Sequence, residues 1–191
     1  MSERMRRALT PSQTIGPFYF GTLANTYRDD LAPPGVPGDR IELAIALHDR
    51  DGAVVPDGLV EIWQANSHGR YNHPEDRRNL ALDKGFEGFG RASTDRSGVA
   101  RFGTVRPGRV PWPQGGLQAA HINVSVFARG VLNRLGTRLY FEDDPALAED
   151  PVLKLVEAAR RPTLIARRDS SGVWRLPIHL GGVNETVFFD C

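Results

Sequence analysis

The sequence contains very little cysteine and no long apolar run. Its single cysteine, Cys191, is the last of 191 residues, so no intramolecular disulfide can form. A protein without disulfides suits a reducing compartment, and we expect this one in the cytoplasm. No stretch approaches the roughly 18 continuous apolar residues of a membrane span, and the basic N-terminal residues lead into no apolar segment. We therefore expect neither a membrane protein nor a secreted one.

An excess of charge of either sign is also missing. Lys and Arg number 24 and Asp and Glu 23, which gives a formal net charge of +1. Such a balance provides no general attraction to nucleic acid or to an anionic membrane, so neither is an expected partner. No phosphate-binding loop, dinucleotide fingerprint or zinc-protease pattern is present. The segment 49–52 begins like a calcium loop, but Ala53 and Val54 follow where oxygen ligands are required, which favours a hairpin turn.

Short segments of alternating apolar and polar residues, separated by turn signals, run along most of the chain. The predicted strands are Arg40–His48, Leu59–Ala65, Phe89–Thr94, Val99–Val105, His121–Phe127, Thr137–Phe141, Val173–Leu180 and Glu185–Phe189. Fourteen prolines and 20 glycines fit the many turns between them. This pattern predicts an all-β sandwich with long loops, formed by one domain over residues 1–191.

One segment has a helical pattern instead. We predict one short helix near 151–161, with Asp150 as its N-cap and Pro151 at its first position. Val152, Leu155 and Val156 are expected on one face of this helix. Long loops are predicted at 23–38, 66–88 and 106–120, and loops of that length usually serve function or an interface.

The histidines give the first indication of chemistry. They stand at positions 48, 68, 73, 121 and 179, and His48 and His179 lie in predicted strands as ordinary sheet residues. His68 and His73 flank Tyr71 in a long loop. Imidazole nitrogens with a phenolate oxygen form a good ligand set for ferric iron, a hard and highly charged cation. Tyr71 could instead be an aromatic side chain that packs within the loop, and composition alone favours this structural role over a role as ligand.

Eight segments, taken in order, resemble the intradiol ring-cleaving dioxygenases, and within that family the members that act on protocatechuate. They are Thr10–Phe18, Val60–Asn66, Gly69–His73, Gly90–Thr94, Val105–Gly108, Ala120–Asn123, Thr137–Phe141 and Glu185–Asp190. Each is weak alone, but together they span nearly the whole chain. The resemblance implies an intradiol-dioxygenase-like β-sandwich and a part in cleaving protocatechuate with O2 to 3-carboxy-cis,cis-muconate, in the aerobic breakdown of aromatic acids.

The resemblance also implies which chain holds the metal. The family members in question pair homologous α and β chains, and the β chain binds Fe3+ through two tyrosines and two histidines. Tyr71 and His121 match one of each, but Val110 and Asn123 stand at the other two positions. Valine has no donor atom, and a neutral amide replaces imidazole poorly at a ferric site. We therefore expect an α subunit that binds no metal, in which Tyr71 and His121 are remnants of a lost ligand set.

By the same resemblance, this chain contributes to the active site of its β partner in an obligate hetero-oligomer of αβ units. Residues 1–38 are expected to form an extended arm and loop at the subunit interface. Within the arm, Thr14, Gly16 and Pro17 match a segment that lines the substrate pocket. Arg129 matches an α-chain arginine near the β-chain iron, where a guanidinium favours an anionic substrate.

Two alternatives remain open at this point. The chain could be an independent, catechol-type intradiol dioxygenase with rearranged iron ligands, namely Tyr71, His121 and either His68 or His73. It could also be a non-catalytic β-sandwich that serves as a binding module.

Overall fold

The fold is built almost entirely from β-strands. The structure is a computed structural model and describes residues 22–190. Its strands are β1 (Arg40–His48), β2 (Leu59–Trp63), β3 (Phe89–Ser93), β4 (Val99–Val105), β5 (His121–Phe127), β6 (Leu135–Phe141), β7 (Ile165–Arg168) and β8 (Trp174–His179). The helical elements are α1 (Pro151–Leu155) and the 3-10 turns Ala24–Thr26, Pro145–Glu149 and Arg161–Leu164. In this described part of the chain, no helix has the length and apolar character needed to cross a bilayer.

The eight strands form one sheet that folds over on itself. Their order is β3-β2-β5-β6-β7-β8-β1-β4, and the two four-stranded halves meet at the short parallel pair β6–β7. The largest core cluster draws its side chains from both halves, which therefore pack face to face. Two layers of sheet around one apolar core define a β-sandwich. The predicted fold class is confirmed.

Alternation along the strands assigns each side chain to the core or to the outer face. On β5, Ile122, Val124 and Val126 are at most 1% exposed and point into the core. Successive side chains of a strand point to opposite faces, so His121 and Asn123 must lie on the outer face of this half of the sheet.

The predicted helix is shorter than expected. It was predicted near 151–161, but α1 ends at Leu155, because Val156 adopts an extended conformation with φ −87° and ψ 135°. Val156 packs into a second apolar cluster and is 8% exposed, whereas Leu155 is 78% exposed. The prediction that Val152, Leu155 and Val156 share one helix face was therefore wrong, since the chain turns away before a second helical turn can form.

Two strand predictions also need correction. The predicted strand 185–189 forms only an isolated bridge between Phe189 and Gly136, because its backbone bonds to β8 at one end and to β6 at the other. Strand β7 was not predicted. It is only four residues long, and its last two residues, Arg167 and Arg168, are both exposed, so its sequence shows no alternation of apolar and polar residues. Its pairing with β6 and β8 makes it a strand.

The buried side chain of Asp150 connects three parts of the fold: α1, β6 and the loop that leads into β5. Its carboxylate is 0% exposed, and Oδ1 accepts hydrogen bonds from the N–H groups of Val152 and Leu153 at 2.9 and 2.8 Å. The Tyr140 hydroxyl lies 3.2 Å from Oδ1, and the Ala119 N–H donates to Oδ2 at 2.7 Å. One side chain thus caps α1 and ties it to β6 and to the loop that leads into β5.

Replacing Asp150 with alanine should lower the free energy of unfolding by about 3 kcal/mol, because several buried donors lose their acceptor. Equilibrium urea unfolding measures the change. Asp143→Ala is the matched control, since Asp143 is 52% exposed and pairs with Arg106 at the surface. It should cost less than about 1 kcal/mol. Equal costs for the two variants would contradict this role for Asp150.

Candidate functional site

The outer face of β5 forms the floor of the candidate site. Asn123 lies between Trp63 of β2 and Arg138 of β6 in the strand register. His121, one pleat away, lies opposite Tyr140. Loops 66–88 and 106–120 cover this floor and bring the remaining residues to it.

Tyr71 reaches the site from loop 66–88. The buried side chain of Asn66 shapes the start of this loop, because its Oδ1 accepts two backbone N–H groups of the following turn at 3.1 and 2.9 Å. Asp76 then accepts the N–H of Tyr71 at 2.8 Å. The Tyr71 ring stacks on Trp63, with centroids 5.7 Å apart and planes inclined by 18°. The side chain is therefore held against the floor of the site.

The two covering loops touch at a pair of glycines. Gly69 has φ +80°, and a Cβ atom there would lie 2.1 Å from the carbonyl oxygen of Arg109. A Cβ atom on Gly108 would lie 2.4 Å from the nitrogen of Gly69. Only glycine permits this approach. The contact brings Val110, which is 4% exposed, to the same cavity as Tyr71.

Asn123 bonds directly to Tyr71. Its Nδ2 lies 3.3 Å from the Tyr71 hydroxyl oxygen and 3.3 Å from the carbonyl oxygen of Trp63, and it donates to both. Burial raises the pKa of Tyr71 above its ordinary value, so the side chain is a neutral phenol at physiological pH. The amide hydrogen therefore occupies one lone pair of the phenol oxygen.

His121 is buried and neutral. Burial, assisted by the nearby charge of Arg138, lowers its pKa to about 4. Its Nδ1 lies 2.9 Å from the carbonyl oxygen of Ala119, which can only accept, so Nδ1 carries the hydrogen. The lone pair of the ring is then on Nε2.

Arg138 is a functional candidate that the sequence prediction missed. Its Nη1 donates to Gln118 Oε1 at 2.7 Å and lies 3.2 Å from the Tyr140 hydroxyl oxygen. No carboxylate of residues 22–190 lies within ion-pair distance of its guanidinium. Its neighbours Leu139 and Tyr140 are fully buried in the structure, but the sequence alone gives no signal that marks Arg138 as a site residue.

These residues surround a cavity of about 1060 Å³ that opens between the two loops. Its walls include Trp63, Tyr71, Val110, Trp112, His121 and Arg138. A neighbouring groove of about 850 Å³ runs towards α1 and shares Trp63, Trp112 and Arg138 with the cavity. The cavity walls thus combine aromatic rings with charged side chains, including Arg77 and Arg78, and Arg138 lies at the junction of the two spaces.

The donor set does not fit ferric iron. Tyr71 and His121 supply one potential donor each, whereas Val110 supplies none and Asn123 supplies only a neutral amide, which is a poor ligand for Fe3+. Within residues 22–190, no three side chains among His, Cys, Asp and Glu are grouped as a metal site requires. Two further histidines were considered as ligands. His73 lines the same cavity, whereas Nδ1 of His68 lies 3.6 Å from Oδ1 of Asp83.

Of the predicted substrate-binding residues, the structure describes only Arg129, which does not border this cavity. Thr14, Gly16 and Pro17 lie outside the residues that the structure describes. Arg129 follows β5 at the end opposite His121, and its side chain is 72% exposed and paired with Asp57. The structure therefore brings together Tyr71 and His121 with the residues at the two replaced positions, and leaves Arg129 apart on the surface.

Comparison with known proteins gives the family. A model described as "Dioxygenase" matches residues 16–174. The protocatechuate 3,4-dioxygenase alpha chain of Burkholderia cepacia is 41% identical over 95% of this chain and 96% of its own length. The beta chain from the same organism is 36% identical over 87% of this chain and 72% of its own length. The chain therefore belongs to the intradiol dioxygenase family, whose members are oxidoreductases, and is a close homologue of the alpha chains.

The solved structures agree on the fold. The dioxygenase domain of a dioxygenase carbohydrate-binding protein fusion from Streptomyces sp. SirexAA-E superposes with a TM-score of 0.60. The match covers 95% of this chain and 97% of that one, at 20% sequence identity. At such identity the match speaks for the shared β-sandwich alone.

His121 should make the stability of the protein depend on pH. Its folded-state pKa of about 4 lies below the ordinary value of 6.5, so the unfolded chain binds a proton first as the pH falls. The free energy of unfolding should therefore decrease between pH 6.5 and pH 4, by up to about 1.4 kcal/mol per pH unit. Urea unfolding at several pH values measures this slope.

His121→Gln should flatten the slope, because glutamine does not titrate. His179→Gln is the control, since His179 is more exposed and its pKa is lowered chiefly by burial and then by the charge of His48. A His121→Gln variant that keeps the full wild-type slope would show that His121 is not the buried group responsible.

Proposed function

We propose that this chain is the iron-free α subunit of a protocatechuate 3,4-dioxygenase. With a homologous β chain that holds Fe3+, it would complete the active site for intradiol cleavage of protocatechuate by O2 to 3-carboxy-cis,cis-muconate. The observation that carries the proposal is which residues stand at the four positions around Tyr71 that correspond to the ligands of the family's iron. Two potential donors, Tyr71 and His121, meet a valine and an amide at the other two positions.

Electrostatics support the absence of iron from this chain. A phenolate ligand requires Tyr71 to lose its proton, and burial opposes that loss by raising its pKa. Arg138 adds a permanent positive charge that lowers the pKa of His121 further and offsets only part of the rise that burial causes in the pKa of Tyr71. A trivalent cation placed among these groups would be repelled by the guanidinium without gaining the anionic ligands that offset such repulsion.

Two arguments support a partner chain. In Burkholderia cepacia, the alpha and beta chains to which this chain is similar are separate proteins. Arg129 is exposed and directed away from the chain's own cavity, where it is available to another subunit. Thr14, Gly16 and Pro17 are proposed to line the partner's substrate pocket with it. The lone cysteine favours assembly in the cytoplasm.

Metal analysis of the chain alone and of the chain co-expressed with a β partner tests the proposal. The chain alone should be colourless, iron-free and inactive. The complex should cleave protocatechuate and contain iron equimolar with its β chain. Tyr71→Phe in this chain should leave the iron content of the complex unchanged. Loss of iron in that variant would contradict the proposal, because it would make Tyr71 a ligand.

Arg129→Ala should raise the KM of the complex for protocatechuate by roughly tenfold without removing iron, because a charge-assisted contact to an anionic substrate is lost. Steady-state kinetics and iron analysis on the same preparation check both parts. Asp57→Asn is the matched control: it breaks the ion pair but keeps the guanidinium, so KM should change much less. Equal effects of the two variants would assign Arg129 to the ion pair alone.

One observation favours a second candidate function. His73 lines the same cavity as Tyr71 and His121, so three potential donors border one space. An independent intradiol dioxygenase with these ligands would bind iron and be coloured when purified without any partner. The metal analysis described above distinguishes it from the α subunit.

A further inference from the structure

The cavity beside Tyr71 has the features of a ligand site that needs no metal. Its volume of about 1060 Å³ is ample for a small molecule, and it is open to solvent between the two loops. Two tryptophans, Trp63 and Trp112, contribute flat apolar surface to its walls. Such walls favour an aromatic ring.

Arg138 supplies the charge. Gln118 and Tyr140 hold its Nη1, which fixes the guanidinium at the junction of the cavity and the groove. Gln118 is itself held, since its Nε2 donates to the carbonyl oxygen of Pro111 at 2.8 Å. Among the hydrogen bonds of residues 22–190, none uses Nε or Nη2 of Arg138. The guanidinium is therefore positioned, with donors left for an anion.

Two carboxylates, Asp76 of the cavity and Glu61 of the groove, pair with other arginines, whereas Glu75 also borders the cavity and Glu157 and Asp190 border the groove. Asp76 pairs with Arg78 at 2.5 Å, and the hydrogen bond to that guanidinium lowers the pKa of Asp76 to about 2. In the adjoining groove, Glu61 pairs with Arg91 at 2.5 Å. Among residues 22–190, none of these five acids comes within ion-pair distance of Arg138, and the neutral His121 adds no competing charge. The guanidinium carbon lies 5.9 Å from the centroid of the Phe189 ring, and its charge is left for a ligand carboxylate to neutralise.

The Tyr71 hydroxyl provides a second polar contact. It accepts the hydrogen bond of Asn123, and its raised pKa keeps its own proton in place. This proton is positioned to be donated to an oxygen of a molecule in the cavity. A planar ring with a carboxylate thus matches the aromatic walls through its ring, and matches Arg138 and the Tyr71 hydroxyl through its charged oxygens.

We propose that the cavity of this chain binds a small aromatic carboxylate, with Arg138 pairing with the carboxylate and Trp63 and Trp112 enclosing the ring. This site lies on the α-type chain itself and needs neither iron nor the partner's active site. It is therefore independent of the proposed function: the complex could cleave its substrate normally even if this cavity bound nothing.

Titration of the full-length chain with benzoate tests the proposal, because benzoate has the ring and the charge but no diol to be cleaved. Isothermal titration and tryptophan fluorescence should both show binding with a millimolar or tighter Kd. Benzamide, which has the same shape without the charge, should bind at least about tenfold more weakly. Equal affinities for benzoate and benzamide, or no benzoate binding at millimolar concentration, would overturn the proposal.

Substitution of Arg138 locates the site. Arg138→Gln should weaken benzoate binding at least about tenfold and leave benzamide binding unchanged, whereas Arg138→Lys should recover part of the loss. Arg101→Gln is the matched control, since it removes the same charge from an exposed position on β4, in the other half of the sandwich. Wild-type benzoate affinity in Arg138→Gln would overturn the proposal. If that variant does not fold, the benzoate and benzamide titrations of the wild type decide the matter.

Discussion

The period-two alternation of β5 is the constraint on which the rest of the site depends. Because Ile122, Val124 and Val126 fill the core between the two halves of the sandwich, the side chains between them have only the outer face available. His121 and Asn123 are therefore presented together whatever chemistry they perform. A register shift of one residue would bury them and expose the core, so the fold fixes the arrangement of this site.

The residues around Tyr71 form a consistent set. Val110 fills space in the cavity wall, and Asn123 satisfies the phenol of Tyr71 with a hydrogen bond. The guanidinium of Arg138 supplies positive charge beside His121. These contacts keep buried polar groups paired, which is the condition for leaving a polar cluster intact inside a protein.

Local pattern was enough to predict most of the fold and half of the candidate site. Strands β1, β4 and β5 have the predicted bounds, because their alternation is strong and their ends carry turn signals. Strand β7 and the end of α1 were missed since long-range pairing and the burial of Val156 decide them. In the site, the resemblance to a known family identified Tyr71, Val110, His121 and Asn123. Arg138 was missed, because its role arises only when the sheet register and two loops place it beside them.

Locating the iron in the assembled complex tests the central claim most directly. A crystal of the αβ complex, with diffraction recorded at the iron absorption edge, gives an anomalous difference map that places each iron atom. We expect every iron peak in the β chain and none in the cavity between Tyr71 and His121 of this chain. An iron peak bonded to the Tyr71 hydroxyl oxygen would contradict the account.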